Sequence, residues 1–368
     1  MSKRTLINLG IFSFIALMSF AGIWSVITRN SNCLNSELSE EPASIHLQNN
    51  NDVETAKRIV LQTKEDIDDW EQKISLFSSE SAWSGWATKI KIIPSSNVTF
   101  FSHIENPILI SAETETTVFL LVRNGWKLPH TLRIITLLEF QPTSVVLANG
   151  SESNFYDLLD MAPQEDRVFV FTLPNLSQGF HQLSILLVAD PESVSFDKEY
   201  RLLQQKSFNE QRFDLWAGLE KPPANTPYFA SAAIGQSAAS RVGGIEFVSL
   251  SGNQNVLKPQ TFRSGDKICA TLRLIITKGD TYEESIPLRI GIFWNDKLEQ
   301  ILDYKLPPRA FDNLSLTIKV QIPQHSGNYQ FNAVLFTFPG YSQFDSVTER
   351  TGYPLGAFTQ RVIVEATP

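Results

Sequence analysis

The first pattern along the chain is an apolar run from Leu6 to Ile27, broken only by Asn8, Ser13, Ser19 and Ser25. At about 1.5 Å of helix per residue it covers roughly 30 Å, the depth of a bilayer core. Lys3 and Arg4 precede it, which keeps the N-terminus in the cytoplasm and sends the rest across. Trp24 falls near the far boundary, where indole rings favour the interface. Residues 1–28 therefore read as a transmembrane signal-anchor. The alternative is a cleaved signal peptide, with Leu6 to Met18 as its core and Ser19-Phe20-Ala21 as a small-x-small cleavage site.

Residues 29–52 are rich in Asn, Ser and Glu and read as a flexible tether. From Val53 the apolar positions change period. Val53, Ala56, Val60, Thr63, Ile67, Trp70, Ile74 and Phe77 alternate spacings of three and four, which predicts one amphipathic helix within 53–83. Ala56 and Thr63 fit a helix packed on its own domain better than a strong coiled-coil seam. A homo-oligomer through residues 53–77 is the alternative.

After Ser78 short runs of β-branched and aromatic residues alternate with Pro, Gly, Asn and Ser. They are Lys89–Ile93, Val98–His103, Thr116–Arg123, Leu132–Phe140, Arg167–Leu173 and Phe180–Ala189, then Ile245–Leu250, Lys267–Thr277, Leu288–Trp294, Leu314–Ile322, Tyr329–Phe338 and Phe358–Glu365. Strands at this spacing without helices between them predict antiparallel sandwiches. One offset repeats: Pro174 and Pro323 are 149 residues apart, as are Phe180 and Tyr329, and Gln211-Arg212-Phe213 and Gln360-Arg361-Val362. In each copy a proline ends a strand, Gly179 or Gly327 opens a corner, and an aromatic starts a strand that is apolar on both faces.

That corner resembles the one between the last strands of immunoglobulin-like domains, where a Tyr bonds the chain upstream. The chain is similar at fold level to tandem bacterial immunoglobulin-like or fibronectin-type-III-like modules. The resemblance implies two tandem antiparallel Ig-like β-sandwiches in a mainly β chain, at 84–220 and 241–368. A Pro-rich, then Ala/Ser/Gly-rich linker at 221–240 joins them, giving an extended arm in series. Phe180 carries no hydroxyl, so the expected tyrosine bond is missing from the first copy.

Composition narrows the function. With 31 Lys+Arg against 39 Asp+Glu the formal charge is −8, which argues against nucleic acid or an anionic membrane surface as partner. Two cysteines exclude a disulfide scaffold. Cys269 reads as a buried small hydrophobe, and Cys33 as too near the membrane to be its obvious partner. The sequence carries no P-loop, EF-hand loop, nucleophile elbow or His-Glu-x-x-His, and its five histidines are scattered singly. No cofactor, metal or catalytic residue is expected. Asp157, Asp160, Glu165 and Asp166 read as a solvated acidic loop, with a weak cation site as the alternative.

Trp83, Trp86 and Trp126 are the candidate ligand-binding residues, since exposed indole faces stack on sugars or anchor protein partners. Core packing is the competing role for each. The reading is a non-catalytic, single-pass protein of the cell membrane with its C-terminal bulk extracytoplasmic, binding an envelope protein or a glycan. The alternative is a cell-surface polysaccharide hydrolase with a carboxylate pair.

Overall fold

The computed structural model describes residues 86–93, 108–126, 129–147, 150–191, 209–224, 226–228, 242–276, 285–307, 313–345, 350–351 and 356–368. The predicted membrane span at 6–27, the tether, the amphipathic helix, Trp83 and the strand at 98–103 lie outside them. No helix among the described residues is long and apolar enough to cross a membrane.

The described chain is mainly β. The first half supplies β1 (Trp86–Ile93), β2 (Ile108–Ile110), β3 (Thr116–Asn124), β4 (His130–Leu138), β5 (Gln141–Pro142), β6 (Val145–Leu147), β7 (Glu152–Ser153), β8 (Phe155–Met161), β9 (Asp166–Leu173), β10 (Gly179–Ala189) and β11 (Asn209–Ala217). The second half supplies β12 (Val242–Leu250), β13 (Gln260–Arg263), β14 (Lys267–Ile276), β15 (Ile286–Trp294), β16 (Lys297–Leu306), β17 (Leu314–Gln321), β18 (Gly327–Thr337), β19 (Phe344–Asp345), β20 (Arg350–Thr351), β21 (Gly356–Phe358) and β22 (Val362–Thr367).

Each half is a sandwich of two sheets. In the first, the outer sheet runs β1-β3-β9-β6-β7 and the inner one β2-β11-β10-β4, with β5 and β8 both paired to β4. In the second, the outer sheet runs β12-β14-β17 and the inner one β13-β22-β18-β15-β16. Val118, Leu120, Phe169 and Phe171 of one sheet meet Leu132, Ile134, Leu183, Ile185 and Leu187 of the other to fill the first core. Leu272, Leu274 and Val320 meet Ile290, Ile292, Phe331, Ala333 and Leu335 in the second. The sheets depart from the wholly antiparallel pairing expected of them. β2 joins β11 in parallel, and β13 joins β22 in parallel, because each short strand comes from the chain that has crossed over from the other sheet.

The inner sheets are buried on both faces because they pack against each other. Ile135, Leu137, Phe140, Leu186 and Val188 of the first sandwich share a third core with Phe293, Leu298, Val334, Phe336 and Phe358 of the second. The molecule is thus four sheets deep, and the extended arm in series is replaced by a face-to-face stack. This explains why β10 and β18 are apolar on both faces.

The duplication is real but its register differs from the sequence offset at one place. Leu183, Ile185 and Leu187 face the first core, and Phe331, Ala333 and Leu335 the second, which puts β10 and β18 148 residues apart. An offset of 149 there would turn every side chain to the wrong face. It holds in β11 and β22, where Phe213, Leu215 and Ala217 match Val362, Val364 and Ala366. The corner residue equivalent to Tyr329 is therefore His181, not Phe180. Tyr329 Oη donates to His325 O at 2.9 Å, and His181 Nε2 donates to Ser177 O at 2.8 Å, each reaching four residues upstream. The glycines two residues before them hold φ of 144° (Gly179) and 157° (Gly327), where a side chain is rarely accommodated.

Candidate functional site

Many of the buried polar residues of the described chain lie at the inter-sandwich face. Arg133 on β4 and Asp157 on β8 are cross-strand partners, joined by Nε–Oδ1 and Nη2–Oδ2 hydrogen bonds of 2.8 Å each. Arg289 on β15 and Asp303 on β16 repeat that fork at 2.7 and 2.8 Å. Each arginine then reaches across the interface. Arg133 Nη1 meets Asp296 Oδ2 at 3.5 Å in the turn after β15, and Arg289 Nη1 meets Glu139 O at 3.4 Å in the turn after β4. The two turns share backbone geometry, with positive φ at Glu139 and Phe140 and at Asn295 and Asp296.

The same reciprocity holds for Gln182 and Gln330. Gln182 Nε2 donates to Tyr341 O at 2.8 Å, and Gln330 Nε2 donates to Pro191 O at 3.0 Å, each in the other sandwich. A duplicated surface packed on itself in this way has the self-complementary contacts of a two-fold interface. Arg212 on β11 and its equivalent Arg361, immediately before β22, complete it. Arg212 Nη1 donates to Thr337 O at 2.6 Å and its guanidinium lies 5.0 Å from the Phe140 ring centroid. Arg361 Nη1 donates to Gln330 Oε1 at 2.6 Å, and Nη2 lies 3.6 Å from Asp296 Oδ1.

Asp214 breaks the symmetry. It is fully buried and accepts hydrogen bonds from Ser342 Oγ at 2.9 Å and from the Gln343 amide. Burial pushes its pKa up, opposed by the hydrogen bonds from Gln343, Ser342 and Gln182. The His181 pKa is also raised, chiefly by its hydrogen bond to Glu139, with Nδ1 3.3 Å from Oε1.

The acidic run read as a solvated loop is not one. Asp157 is buried on Arg133, Asp166 bridges Arg123 at 2.8 Å, and Glu165 bonds Arg167 at 2.6 Å. The sequence does not show this because Phe155–Met161 lacks the β-branched run that marks a strand. Among the described residues no group of three or more His, Cys, Asp or Glu could hold a metal ion.

Of the predicted binding residues, Trp86 and Trp126 come to one end of the first sandwich. Trp86 opens β1 opposite Asn124. Asn124 is buried, donates Nδ2 to Met161 O at 2.9 Å and accepts the Trp126 amide at 2.9 Å. That clamp seats the half-buried Trp126 ring against the core, edge-on to His130 at 5.8 Å. His130 Nδ1 in turn meets Asp190 Oδ2 at 2.7 Å.

Among the described strands the second sandwich presents an edge that the first does not. In the outer sheet of the first, β9 is covered by β6. Its counterpart β17 pairs with β14 alone among the described strands. Ser315, Thr317, Lys319 and Gln321 are exposed along it. Across from Lys319 lies Cys269, which is half-buried on the outward face and disulfide-bonded, not a core residue. The alternation of β14 places Ile268 and Ala270 inward and so turns Cys269 out.

No family model and no curated protein matches the chain. Among solved structures, a CARDB domain of the PF1109 protein from Pyrococcus furiosus, in complex with di-metal ions, is 14% identical, covering 38% of this chain and 94% of that one at a TM-score of 0.22. An ICAM-5 D1–D4 ectodomain fragment is 10% identical over 76% of this chain at 0.23; this chain spans about half of it (51%). A PapD-like domain of human CEP192 is 10% identical over 46% of this chain and 99% of that one at 0.20. TM-scores this low carry no argument about activity or partner. The strand order and the three cores stand by themselves for the fold, which resembles that of immunoglobulin-like β-sandwich domains.

Proposed function

We propose that the protein is a non-catalytic, membrane-tethered binding or assembly protein of the cell envelope. Residues 6–27 hold it in the membrane, and the double sandwich outside presents the open edge of β17 to an extended segment of a protein partner. The observation that carries this reading is the asymmetry between the copies: β9 is covered by β6, whereas β17 pairs with β14 alone among the described strands. An unpaired strand offers a row of backbone donors and acceptors, and strand addition uses them for affinity while exposed side chains supply selectivity. The non-catalytic reading is supported by the carboxylates at the interface. Asp157, Asp296 and Asp303 are each held by arginine, and Asp214 is closed in by Ser342 and Gln343.

Site-directed photo-crosslinking of the full chain in its native envelope tests the proposal. A photo-reactive residue in place of Thr317 or Lys319 should capture a discrete protein, and one in place of the exposed Lys258, off the edge, should not. Equal labelling from all three positions, or none from β17, would remove the edge as the binding site.

A further inference from the structure

We infer that the partner strand for β17 is β17 of a second copy of this chain, paired antiparallel about a two-fold axis at Thr317; the inference rests on the edge-binding reading above. The hydrogen bonds of the sheet fix which groups β17 turns outward. Ile322 N donates to Asp266 O at 2.8 Å, one step beyond the Lys267–Gln321 pair. Bonded and non-bonded pairs alternate in an antiparallel ladder, so Leu314, Leu316, Ile318 and Val320 direct their main-chain groups to β14. Ser315, Thr317, Lys319 and Gln321 turn theirs away from it. β14 shows the same alternation. Cys269, across from Lys319, gives its carbonyl to the Ser251 amide at 2.7 Å, just past the end of β12.

Thr317 lies at the middle of β17, so the register that sets it opposite its own copy engages nearly the whole strand. That register is self-complementary. Lys319 stands across from Ser315, and no like charges face each other. On the core side Leu316 meets Ile318, and Leu314 meets Val320. Leu314, Leu316 and Ile318 are only half-buried, whereas Phe169 on β9, the counterpart of Ile318 counted from Pro174 and Pro323, is fully buried. A second β17 would cover this side as β6 covers β9. The outward groups of Ser315, Thr317 and Lys319 make about six main-chain hydrogen bonds in the pairing.

The pairing stops at two copies. On the far side of the sheet Gln360 meets β12, its Oε1 accepting from Phe247 N at 3.2 Å and its Nε2 donating to Phe247 O at 2.9 Å. The described strands of two copies then form one sheet, β12-β14-β17-β17-β14-β12, closed by two-fold symmetry. A single strand contact buries less than the roughly 1,000 Å² that a stable soluble interface needs. Anchoring both copies in one membrane supplies the missing concentration.

Oxidative cross-linking of the full chain in its native membrane tests the inference. Thr317→Cys places two thiols in a bonded pair, with Cα atoms about 5.5 Å apart and within disulfide reach. Lys319→Cys places them about 13 Å apart, beyond it. The expected result is a reducible dimer from Thr317→Cys and none from Lys319→Cys or the parent chain. Lys319→Cys should cross-link only when co-expressed with Ser315→Cys. Adding Ser315→Pro to Thr317→Cys removes one outward N–H, leaves the β14 ladder whole, and should abolish the dimer at an unchanged unfolding temperature. No dimer from Thr317→Cys, or an equal dimer from Lys319→Cys alone, would overturn the inference. The photo-reactive residue at Thr317 separates the two failures. An adduct with a different protein, without the dimer, refutes self-pairing and leaves the edge reading standing. Neither adduct nor dimer refutes both.

Discussion

Gln182 and Gln330 occupy the same place in the two sandwiches and reach across the interface in opposite directions, to Tyr341 O and Pro191 O. Each also donates its main-chain N–H to the side chain of the turn residue beside it, Glu139 at 3.1 Å and Asn295 at 2.8 Å. A repeat that meets itself this way needs one surface to serve both sides, so the two copies keep the same forks and the same turns. What differs between them is burial, and burial decides the energetics.

The Arg133 and Arg289 forks are geometrically alike and should differ in worth. The Arg133 and Asp157 side chains are 5% and 4% exposed, whereas those of Arg289 and Asp303 are 24% and 62% exposed. Arg133→Ala leaves Asp157 buried without its cation and should cost about 3–5 kcal/mol. Arg289→Ala should cost less than about 1 kcal/mol. Urea unfolding of the two variants checks the contrast.

Asp214 gives the interface a pH dependence. Burial raises its pKa in the folded state, so its contribution is full below the ordinary carboxylate range and is lost as pH rises through the raised value. Stability should therefore fall with rising pH over that window. Asp214→Asn should flatten the slope, measured as thermal unfolding against pH relative to the parent chain.

His181 stands where the second copy has Tyr329. Its pKa is raised by Glu139, so its contribution is full below about pH 6.5 and lost as pH rises through the raised value. His181→Phe should cost about 1 kcal/mol by removing the bond to Ser177 O. His181→Tyr should recover part of that loss and remove the pH dependence. Unfolding of both variants at pH 6 and pH 8 reads the difference.

Much of the fold is legible in the chain. Strands with strong β-branched and aromatic runs, such as Thr116–Asn124 and Lys267–Ile276, are recognisable because period and composition agree. Phe155–Met161 and Lys297–Leu306 are not, because acidic and polar residues fill positions that the interface buries or that β15 covers from one side. The repeated Gln-Arg at 211–212 and 360–361 marks the interface in the sequence, but an arginine in a strand reads as solvated until its partner sheet is known. The one-residue slip at the corner is hidden because Phe180 and Tyr329 are both aromatic, while the hydrogen bond belongs to His181. The outward turn of Cys269 follows from the alternation of β14 and was available from Ile268 and Ala270.

The central claim is that the two inner sheets form one body. Phe140 and Phe336 meet across it with ring centroids 4.9 Å apart, both fully buried. Hydrogen–deuterium exchange of the full chain, comparing the parent with Phe336→Ser, tests it most directly. The account predicts faster exchange in β4 and β10 of the first sandwich as well as in β15 and β18 of the second, because the shared core is opened from one side. Faster exchange confined to β15 and β18, with β4 and β10 unchanged, would contradict it.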